Sequence, residues 1–336
     1  MKKIRVAING FGRIGRLVLR AAIESGRKDI EFVAVNDLMP AEQSGFLLEY
    51  DSVHGKLGKP VNVSGNTIKV AGQNIKVFAE RDPAKLPWKK LNIDVVMECT
   101  GIFTSADKAK VHLAAGAKRV LVSAPSDGAD ATIVYGVNEK TLKKSAKIVS
   151  NGSCTTNCLA PIANILNEKF GIVNGWMTTI HSYTGDQQLL DKNHRDPRRA
   201  RAANLSMIPT STGAAKAIGL VLPKLDGKLN GMAVRVPTPD VSVVELIVNL
   251  KKAVKESEVN AAMLAASKGK LAGILGFNQK PLVSVDFTHD AHSSIFDSTQ
   301  TKMVGNKLLH VTSWYDNEWG FSNRMCDVAV VMGKLL

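Results

Sequence analysis

Two cysteines stand four residues apart in the polar stretch SNGSCTTNCLAP, which covers residues 150–161. Such a pair can form a metal site or a disulfide, lie in a core, or supply a nucleophile. The turn and cap formers NGS precede Cys154 and an apolar helical stripe follows, so this residue is predicted at a helix N-terminus. Because the positive end of a helix dipole favours an anion, the position predicts a lowered thiol pKa and a nucleophilic role.

A proline within the helical stripe bears on where this helix begins. Pro161 has no amide proton, so we expect the helix to begin near Thr156 or Asn157 or to bend at the proline. Cys158 lies about one turn beyond Cys154, where a structural role and a resolving-thiol role both stay open. The four cysteines form no CxxC pair, and the histidines of THDAH have no evident third ligand, so we expect no metal.

A nucleophilic thiol needs a base, and the chain contains seven histidines. His181 is the best candidate, because TTIHSYTGD leads from an apolar strand into a polar loop, where reacting groups commonly lie. Sequence alone does not bring His181 to Cys154, so their pairing is an expectation for the structure to test.

A glycine motif near the start of the chain predicts a dinucleotide site. GFGRIG fits G-x-G-x-x-G at Gly10, Gly12 and Gly15, follows the apolar run IRVAIN and opens an amphipathic helical pattern. The glycines permit a tight turn, close approach of the backbone to a pyrophosphate, and close packing of the helix on the strand. Asp37 ends the next strand, where a carboxylate binds ribose hydroxyls and repels a 2′-phosphate, which favours NAD over NADP.

The surrounding elements predict an α/β protein of two domains. Short apolar strands alternate with helical patterns up to residue 150, which indicates a doubly wound parallel sheet. Longer, alternating strands follow and predict an α+β domain at 151–316 on a mixed or antiparallel sheet. The strands predicted there are 176–184, 232–250, 281–287 and 308–316. The helical segment 317–336 is expected to return to the first domain, 1–150.

The composition limits the functional class. A chain of 336 residues with four cysteines has no disulfide framework, so a reducing cytoplasm is expected, and no apolar run is long enough to span a bilayer. The formal charge of +14 suits phosphorylated metabolites, nucleotides or nucleic acid. Scattered lysines and only 5% aromatic residues argue against a dedicated nucleic-acid partner, and no membrane partner is expected.

Seven strings in chain order resemble the glyceraldehyde-3-phosphate dehydrogenase family over essentially the whole chain. They are NGFGRIGR, SNGSCTTNCLAP, HSYTGDQ, RRARAA, IPTSTGAAKA, RVPTPDVSVV and SWYDNEWGFSNR. The resemblance implies a Rossmann NAD-binding domain followed by a catalytic domain. It also implies oxidation and phosphorylation of glyceraldehyde 3-phosphate to 1,3-bisphosphoglycerate, with inorganic phosphate as the second substrate. Family members are usually homotetramers.

The same resemblance assigns roles residue by residue. Cys154 corresponds to the nucleophile, which forms a thiohemiacetal and then a thioester, and His181 corresponds to its base. The implied cofactor contacts are Gly10, Gly12, Arg13, Ile14, Gly15, Asp37, Arg81, Ser123 and Asn317. The implied contacts for the substrate phosphate and inorganic phosphate are Ser153, Thr155, Thr184, Arg199, Thr212, Gly213 and Arg235.

Several alternatives stay open at this point. Erythrose-4-phosphate dehydrogenase shares the architecture but hydrolyses its acyl intermediate, and HSYT with Thr184 fits glyceraldehyde 3-phosphate better. Nucleic-acid binding as a side activity and a purely structural oligomer are further interpretations of the chain. Lys192 and Asn193 replace the Leu-Pro that is common in NAD-specific members, and a lysine there tolerates a 2′-phosphate. How strictly the chain selects NAD is therefore an open question.

Overall fold

A computed structural model describes residues 3–336, which divide into two compact units. The first unit comprises the chain up to Ser153 together with Ser322–Leu336, and the second comprises Cys154–Phe321. Among the described residues, no helix is long and apolar enough to cross a membrane.

The first unit is built on a large sheet with short helices between the strands. Its strands are β1 Ile4–Asn9, β2 Ile30–Asn36, β3 Tyr50–Asp51, β4 Gly55–Lys56, β5 Val61–Ser64, β6 Thr67–Val70, β7 Gln73–Phe78, β8 Val95–Glu98, β9 Arg119–Val122, β10 Ala131–Thr132 and β11 Ile148–Ser150. Its helices are α1 Arg13–Glu24, α2 Ala41–Glu49, α3 Ala106–Ala109 and α4 Val111–Ala114, with 3-10 turns at Pro83–Lys85 and Glu139–Thr141.

The large sheet of this unit has the order β10-β11-β9-β8-β1-β2-β7-β6-β5. The strands from β10 to β7 pair in parallel, and β6 and β5 add an antiparallel edge. Central residues such as Ile8, Val35 and Val96 are fully buried, as expected of parallel strands that are covered on both faces. The predicted doubly wound parallel sheet is confirmed.

The C-terminal segment packs against the first strand of this unit. An added Cβ on Gly333 would collide with the Ile4 side chain, so only glycine lets the helix approach so closely. Arg119 donates to the Leu335 carbonyl at 3.0 Å and fastens the end of the chain.

The second unit has a mixed sheet. Its strands are β12 Ile172–Ser182, β13 Ile208–Thr210, β14 Leu229–Val236, β15 Ser242–Leu250, β16 Leu275–Asn278, β17 Ser294–Val304 and β18 Leu308–Tyr315. Its helices are α5 Cys154–Lys169, α6 Ala214–Val221 and α7 Glu256–Lys268, with 3-10 turns at Pro223–Leu225 and Ser284–Phe287; α8, Trp319–Lys334, begins here and ends in the first unit. The order β13-β14-β12-β15-β18-β17-β16 contains parallel and antiparallel pairs, as the sequence predicted.

Two local predictions for this unit were wrong. The single strand predicted at 232–250 is two strands, because Pro237 and Pro239 have no amide proton for a ladder. The strand predicted at 281–287 is a 3-10 turn, in which the Asp286 carboxylate accepts from the Val283 amide at 2.9 Å.

The predicted helix N-terminus at Cys154 is confirmed, because α5 begins at this residue and not near Thr156 or Asn157. The helix continues through Pro161, and a bend there stays a prediction.

Candidate active site

A cavity of about 450 Å³ lies in the first unit, at the carboxyl ends of β1, β2 and β8. Such a switch point of a doubly wound sheet is where these folds bind ligands. Four of the predicted cofactor residues line the cavity: Gly10, Gly12, Asp37 and Arg81.

The three motif glycines have different surroundings. Gly10 has φ +89°, and an added Cβ there would lie 2.6 Å from the Thr100 amide nitrogen. A Cβ on Gly15 would collide with the Gly10 carbonyl oxygen. By contrast, a Cβ on Gly12 would meet no atom within 4 Å. Two glycines therefore allow the turn to form, and the third faces open space that a ligand can fill, as a pyrophosphate-binding turn requires.

Two charged side chains near the glycine turn are held in place by hydrogen bonds. The Asp37 carboxylate accepts from the amides of Phe11 at 2.8 Å and Met39 at 3.2 Å, so its negative charge has a set position at the rim. Arg13 donates to both carboxylate oxygens of Asp51, at 3.0 and 3.1 Å. Arg13 and Ile14 begin α1, and the N–H groups of a first helical turn have no intrahelical partner, so they are suited to binding an anion. The donor set and the open turn fit a dinucleotide.

A thiol and an imidazole meet in the second unit. The Cys154 Sγ lies 3.4 Å from His181 Nε2, although the two residues are 27 positions apart. Cys154 is the first residue of α5, and His181 lies near the end of β12. The other ring nitrogen of His181, Nδ1, lies 2.7 Å from the Ser182 carbonyl oxygen. Arg235 Nη1 lies 3.1 Å from Nδ1, but it also lies 3.1 Å from the same carbonyl oxygen and can donate there. A carbonyl only accepts and is the nearest partner of Nδ1, so we assign the proton to Nδ1, which leaves the Nε2 lone pair facing the thiol.

The pKa values of this pair differ from the sequence-based expectation. Burial raises the pKa of the Cys154 thiol, and the Arg235 charge and bonds from Thr155 oppose that rise only in part. The prediction of a lowered thiol pKa was therefore wrong, because desolvation outweighs the helix terminus. Burial, followed by the Arg235 charge, lowers the pKa of His181 to about 3. The resting pair is thus a neutral thiol beside a neutral imidazole.

A buried tyrosine that the sequence analysis did not single out connects the elements of the site. The Tyr315 hydroxyl lies 2.8 Å from the hydroxyls of both Thr155 and Thr179. Its ring stacks edge-on against His181, with ring centroids 6.0 Å apart. Burial raises the pKa of Tyr315 well above its usual value, so it remains a neutral hydrogen-bonding group. The string SWYDNEWG contained it, but only the fold shows what it touches.

Two arginines lie on the imidazole side of the thiol. Arg235 Nη1 lies 3.1 Å from the Ser182 carbonyl oxygen and 3.5 Å from Thr184 Oγ1. Arg199 donates to Thr210 Oγ1 at 3.0 Å and to Asp186 Oδ2 at 2.6 Å. Burial and the Arg199 charge lower the pKa of Arg235, which indicates that the two guanidinium groups are close. Paired arginines beside hydroxyl groups are suited to binding phosphate dianions.

The acidic partner of Arg199 was also missed by the sequence analysis. Asp186 accepts from Arg199 and from His194, whose Nε2 lies 3.3 Å away. Burial acts against these bonds, yet they hold the pKa of Asp186 below its usual value. This carboxylate therefore orients the guanidinium, and its position in HSYTGDQ was the available signal.

The other predicted site residues have local roles that the structure describes. Thr212 Oγ1 accepts from the Ala214 amide at 3.2 Å, and Gly213 is the N-cap of α6. Asn317 lies in the second unit, where its side-chain oxygen accepts from Ser242 Oγ at 2.7 Å. The remaining two belong to the first unit: Ser123, whose amide donates to the Glu98 carbonyl, and Ser153, its last residue before α5.

Comparison with known proteins agrees with this geometry. Two protein-family models match the chain. The family "Glyceraldehyde 3-phosphate dehydrogenase, NAD binding domain" matches residues 4–106, and the family "Glyceraldehyde 3-phosphate dehydrogenase, C-terminal domain" matches residues 153–317. A glyceraldehyde-3-phosphate dehydrogenase of Xanthobacter flavus is 62% identical over 332 residues, 99% of each chain. The chain belongs to the glyceraldehyde-3-phosphate dehydrogenase family. Proteins of the same name from Cereibacter sphaeroides and Geobacillus stearothermophilus are 60% and 56% identical, over 99% and 98% of each chain.

Membership of the glyceraldehyde-3-phosphate dehydrogenase family confirms several of the predictions. The predicted family, the NAD cofactor and the class of NAD-dependent dehydrogenase are confirmed, because an NAD-binding domain of this family is matched together with its C-terminal domain. The erythrose-4-phosphate alternative is not favoured by relatives that carry the glyceraldehyde-3-phosphate name. The roles of the individual site residues stay predictions.

Proposed function

We propose that the chain oxidises glyceraldehyde 3-phosphate with NAD and captures the acyl group on inorganic phosphate as 1,3-bisphosphoglycerate. The observation that carries the proposal is the 3.4 Å contact between Cys154 Sγ and His181 Nε2. Beside it stand the two arginines that suit phosphate groups. A thiol with a base supports attack on an aldehyde. The two arginines provide one site for the phosphate group of the substrate and one for the inorganic phosphate that accepts the acyl group.

Attack begins with transfer of the thiol proton. His181 is neutral at physiological pH, because its pKa is about 3, and its Nε2 lone pair faces the sulfur. As the Cys154 sulfur adds to the aldehyde carbon, its proton passes to that nitrogen, and the C=O π electrons move to the oxygen, which becomes the oxyanion of a thiohemiacetal. The bond from Nδ1 to the Ser182 carbonyl keeps the ring oriented and stabilises the imidazolium that forms.

The start of α5 stabilises the oxygen of the adduct. The backbone N–H groups of Cys154 and Thr155 lie close to the sulfur and belong to a first helical turn, where intrahelical carbonyl partners are lacking. Such donors stabilise an oxyanion that develops on a carbon bonded to this sulfur. A thioester remains on Cys154 after oxidation, and it retains enough free energy for phosphate to accept the acyl group.

The cofactor supplies the oxidant. NAD, when bound, accepts a hydride. The residues of the first unit that are proposed to hold it are those of the glycine turn, with Asp37 and Arg81 at the rim of the cavity. The fixed carboxylate of Asp37 disfavours a 2′-phosphate, whereas Lys192, which departs from the pattern of NAD-specific members, tolerates one. Because the Asp37 carboxylate repels a 2′-phosphate, we propose NAD as the preferred cofactor.

Arg235 and Arg199 are proposed to divide the binding of the two phosphates. Arg235 Nη1 lies 3.1 Å from His181 Nδ1 and 3.5 Å from Thr184 Oγ1, so Arg235 is assigned to the phosphate of the substrate. Arg199 stands with Thr210 and Ser211 and is assigned to inorganic phosphate. A dianion beside Arg235 offsets the charge that lowers the pKa of His181. Substrate binding therefore makes the base stronger when it is needed.

We also propose a homotetramer, the usual state of this family. One face of the mixed sheet carries large apolar side chains in register, with Trp176 beside Ile247 on neighbouring strands. They are 47% and 43% exposed, and Ile180 on the same face is 39% exposed. An apolar sheet face of this kind fits burial against a second copy. Sedimentation of the chain with Trp176→Glu and Ile247→Glu tests it, since smaller species are expected.

The cellular setting is proposed from the chemistry of the thiol. A nucleophilic Cys154 needs to stay reduced, and Cys99, Cys158 and Cys326 are also free thiols. A cytoplasmic location, where thiols are kept reduced, fits these four cysteines. Metabolite phosphates are proposed as the main anionic partners, with no dedicated nucleic-acid or membrane partner.

The proposal is tested by an assay of initial rate. We expect glyceraldehyde 3-phosphate to reduce NAD rapidly only with inorganic phosphate present, and more slowly to reduce NADP. Phosphate-independent turnover with hydrolysis of the acyl group, together with a preference for erythrose 4-phosphate, would overturn it. Binding of RNA that competes with NAD and weakens with salt would add a side activity without replacing the oxidation.

A further inference from the structure

Three polar side chains form a buried row across the carboxyl end of the parallel sheet in the first unit. Asn36, Asn9 and Glu98 occupy paired positions on β2, β1 and β8. Their exposed fractions are 5%, 1% and 1%. A side-chain amide of Asn36 donates to Asn9 Oδ1 at 2.7 Å, and the amide of Asn9 donates to Glu98 Oε2, also at 2.7 Å. Nothing in the chemistry at the thiol uses this row.

Glu98 is surrounded by hydrogen-bond donors. Its Oε1 accepts from the amide and the hydroxyl of Thr100, and its Oε2 accepts from Asn9 and from His112 Nε2 at 2.9 Å. The His112 tautomer is fixed, because the Trp88 indole N–H donates to Nδ1 at 3.2 Å, so Nε2 carries the proton. All of these neighbours donate hydrogen bonds to Glu98, so this position suits a side chain that only accepts them, as a carboxylate does.

This acceptor determines the orientation of both asparagines. With Glu98 accepting, Asn9 turns its NH₂ toward the carboxylate and its oxygen toward Asn36. Asn36 then turns its NH₂ toward Asn9 and also donates to the Glu80 carbonyl at 2.9 Å. The side-chain oxygen of Asn36 then accepts a hydrogen bond from the Glu80 amide at 2.8 Å. The orientation of each amide thus follows from the one before it, and the row starts at a carboxylate.

Both ends of the row hold walls of the dinucleotide cavity. Glu80 and the adjacent Arg81 line the cavity, as does Thr100, which Glu98 holds through two bonds. Asn9 precedes Gly10, whose turn packs directly on the Thr100 backbone. Glu98 itself does not line the cavity but is connected to three parts of its wall.

We propose that Glu98 is a positioning residue for NAD, whose acceptor-only carboxylate sets the asparagine row and so the shape of the cavity wall. The inference rests on NAD being the ligand of this cavity. It concerns a step before any chemistry, since the row acts through Asn9, Asn36 and Thr100. Its observable consequence is a link between Glu98, at the end of β8, and the Glu80 amide, which follows β7 on the far side of β1 and β2.

The test is the isosteric change Glu98→Gln, which keeps volume but replaces one acceptor with an NH₂ donor. If the new side-chain amide keeps its oxygen toward Thr100, its NH₂ faces the donors of Asn9 and His112. Flipping Asn9 moves the mismatch to Asn36, and flipping that residue moves it to the Glu80 backbone. We expect the Kd for NAD, measured by calorimetry, to rise about ten-fold or more. We also expect faster hydrogen exchange of the Glu80 amide, with the centre of β1 still protected.

The control is Glu31→Gln, which removes a carboxylate of the same unit that pairs at the surface with Arg5 at 2.8 Å. It should leave both the NAD affinity and the Glu80 exchange as they are in the unchanged chain. Alkylation of Cys154 without NAD reports whether the second unit stays folded in Glu98→Gln.

The outcomes separate this inference from the proposed function. Unchanged NAD affinity in Glu98→Gln overturns the positioning role, and weak affinity with uniformly faster exchange throughout the first unit overturns the asparagine row in favour of general destabilisation. A ten-fold loss with exchange raised selectively at Glu80 and Thr100 supports it. If the unchanged chain itself does not bind NAD, the proposed function fails instead.

Discussion

Arg235 Nη1 lies 3.1 Å from His181 Nδ1, so the cation proposed to bind the substrate phosphate also adjoins the proposed base. Since its charge contributes, after burial, to lowering the pKa of His181 to about 3, the free protein has a weak base. An anion on Arg235 removes part of that effect. The proposed roles therefore couple substrate binding to activation of the base through one guanidinium.

Replacing the nucleophile should stop the reaction. For Cys154→Ser we expect the rate of NAD reduction to fall by at least about 1,000-fold, because a hydroxyl is a far weaker nucleophile and forms no thioester. The measurement is absorbance of the reduced cofactor, with mass spectrometry of the acylated protein. Cys158→Ser is the matched control, since Cys158 is buried beside Ser294 Oγ, and it should retain acylation at residue 154. Fast oxidation by the Cys154 variant would contradict covalent catalysis.

Removing the base should slow reactions of the thiol itself. In His181→Asn, alkylation by a neutral haloacetamide should be about ten-fold or more slower, because no imidazole takes the proton. The pKa of about 3 means that His181 does not change charge between about pH 6 and 8. The deficit relative to the unchanged chain should therefore be similar across that range. A deficit that disappears at the acidic end would show that the ring titrates there.

The buried tyrosine should support the site through its hydroxyl. Tyr315→Phe leaves Thr155 and Thr179 without that partner, so we expect a loss of about 1–3 kcal/mol in the free energy of unfolding. We also expect slower alkylation of Cys154. Tyr135→Phe, in the first unit, is the control for removing a tyrosine hydroxyl. Normal alkylation and stability in the Tyr315 variant would show that the two threonines find other partners.

The two neighbouring arginines at 198 and 199 should differ sharply. Arg199→Gln removes a guanidinium held by Thr210 and Asp186, and the KM for inorganic phosphate should rise about ten-fold or more. Arg198→Gln is the control, because the exposed side chain of Arg198 makes a long 3.4 Å contact with the Pro209 carbonyl. Initial rates at varied phosphate decide the matter. Equal KM values for the two variants would remove Arg199 from the phosphate site.

Acid stability should depend on the carboxylate that holds Arg13. Burial acts against it, but bonds from the His54 amide and Arg13 lower the pKa of Asp51 to about 2. A carboxyl with a depressed folded pKa stabilises the fold above its unfolded pKa of about 4, and the contribution disappears as the pH falls toward about 2.

The variant Asp51→Asn isolates this contribution. At neutral pH it should lower the free energy of unfolding by about 1 kcal/mol, a figure reduced for the partly exposed Arg13. It should also flatten the stability curve between about pH 4 and 2, as measured by denaturant titration. Asp107→Asn, which breaks a solvent-exposed pair with Lys110, should change neither. If the free energy of unfolding of Asp51→Asn falls with pH as steeply as that of the unchanged chain, another group controls acid stability.

The sequence by itself determined the elements whose signals are local. Apolar runs ending in small or polar residues predicted the parallel strands, and the spacing of Gly10, Gly12 and Gly15 predicted the turn. Local patterns conflicted at 281–287, and the prediction failed there. The alternation of apolar residues indicated a strand, but the Asp286 carboxylate accepts from the Val283 amide and stabilises a 3-10 turn. Backbone hydrogen bonding and side-chain periodicity depend on neighbours in the chain, and a sequence displays those directly.

Only the tertiary structure decided which distant groups meet and how each is charged. Tyr315 reaches Thr155 across 160 positions, and Glu98 and Asn9 meet across 89. The thiol pKa shows the same limit: the helix start was visible in the sequence, but the burial that outweighs it was not. Desolvation and Coulomb interactions depend on what packs around a group in three dimensions, and residue order alone does not contain that information.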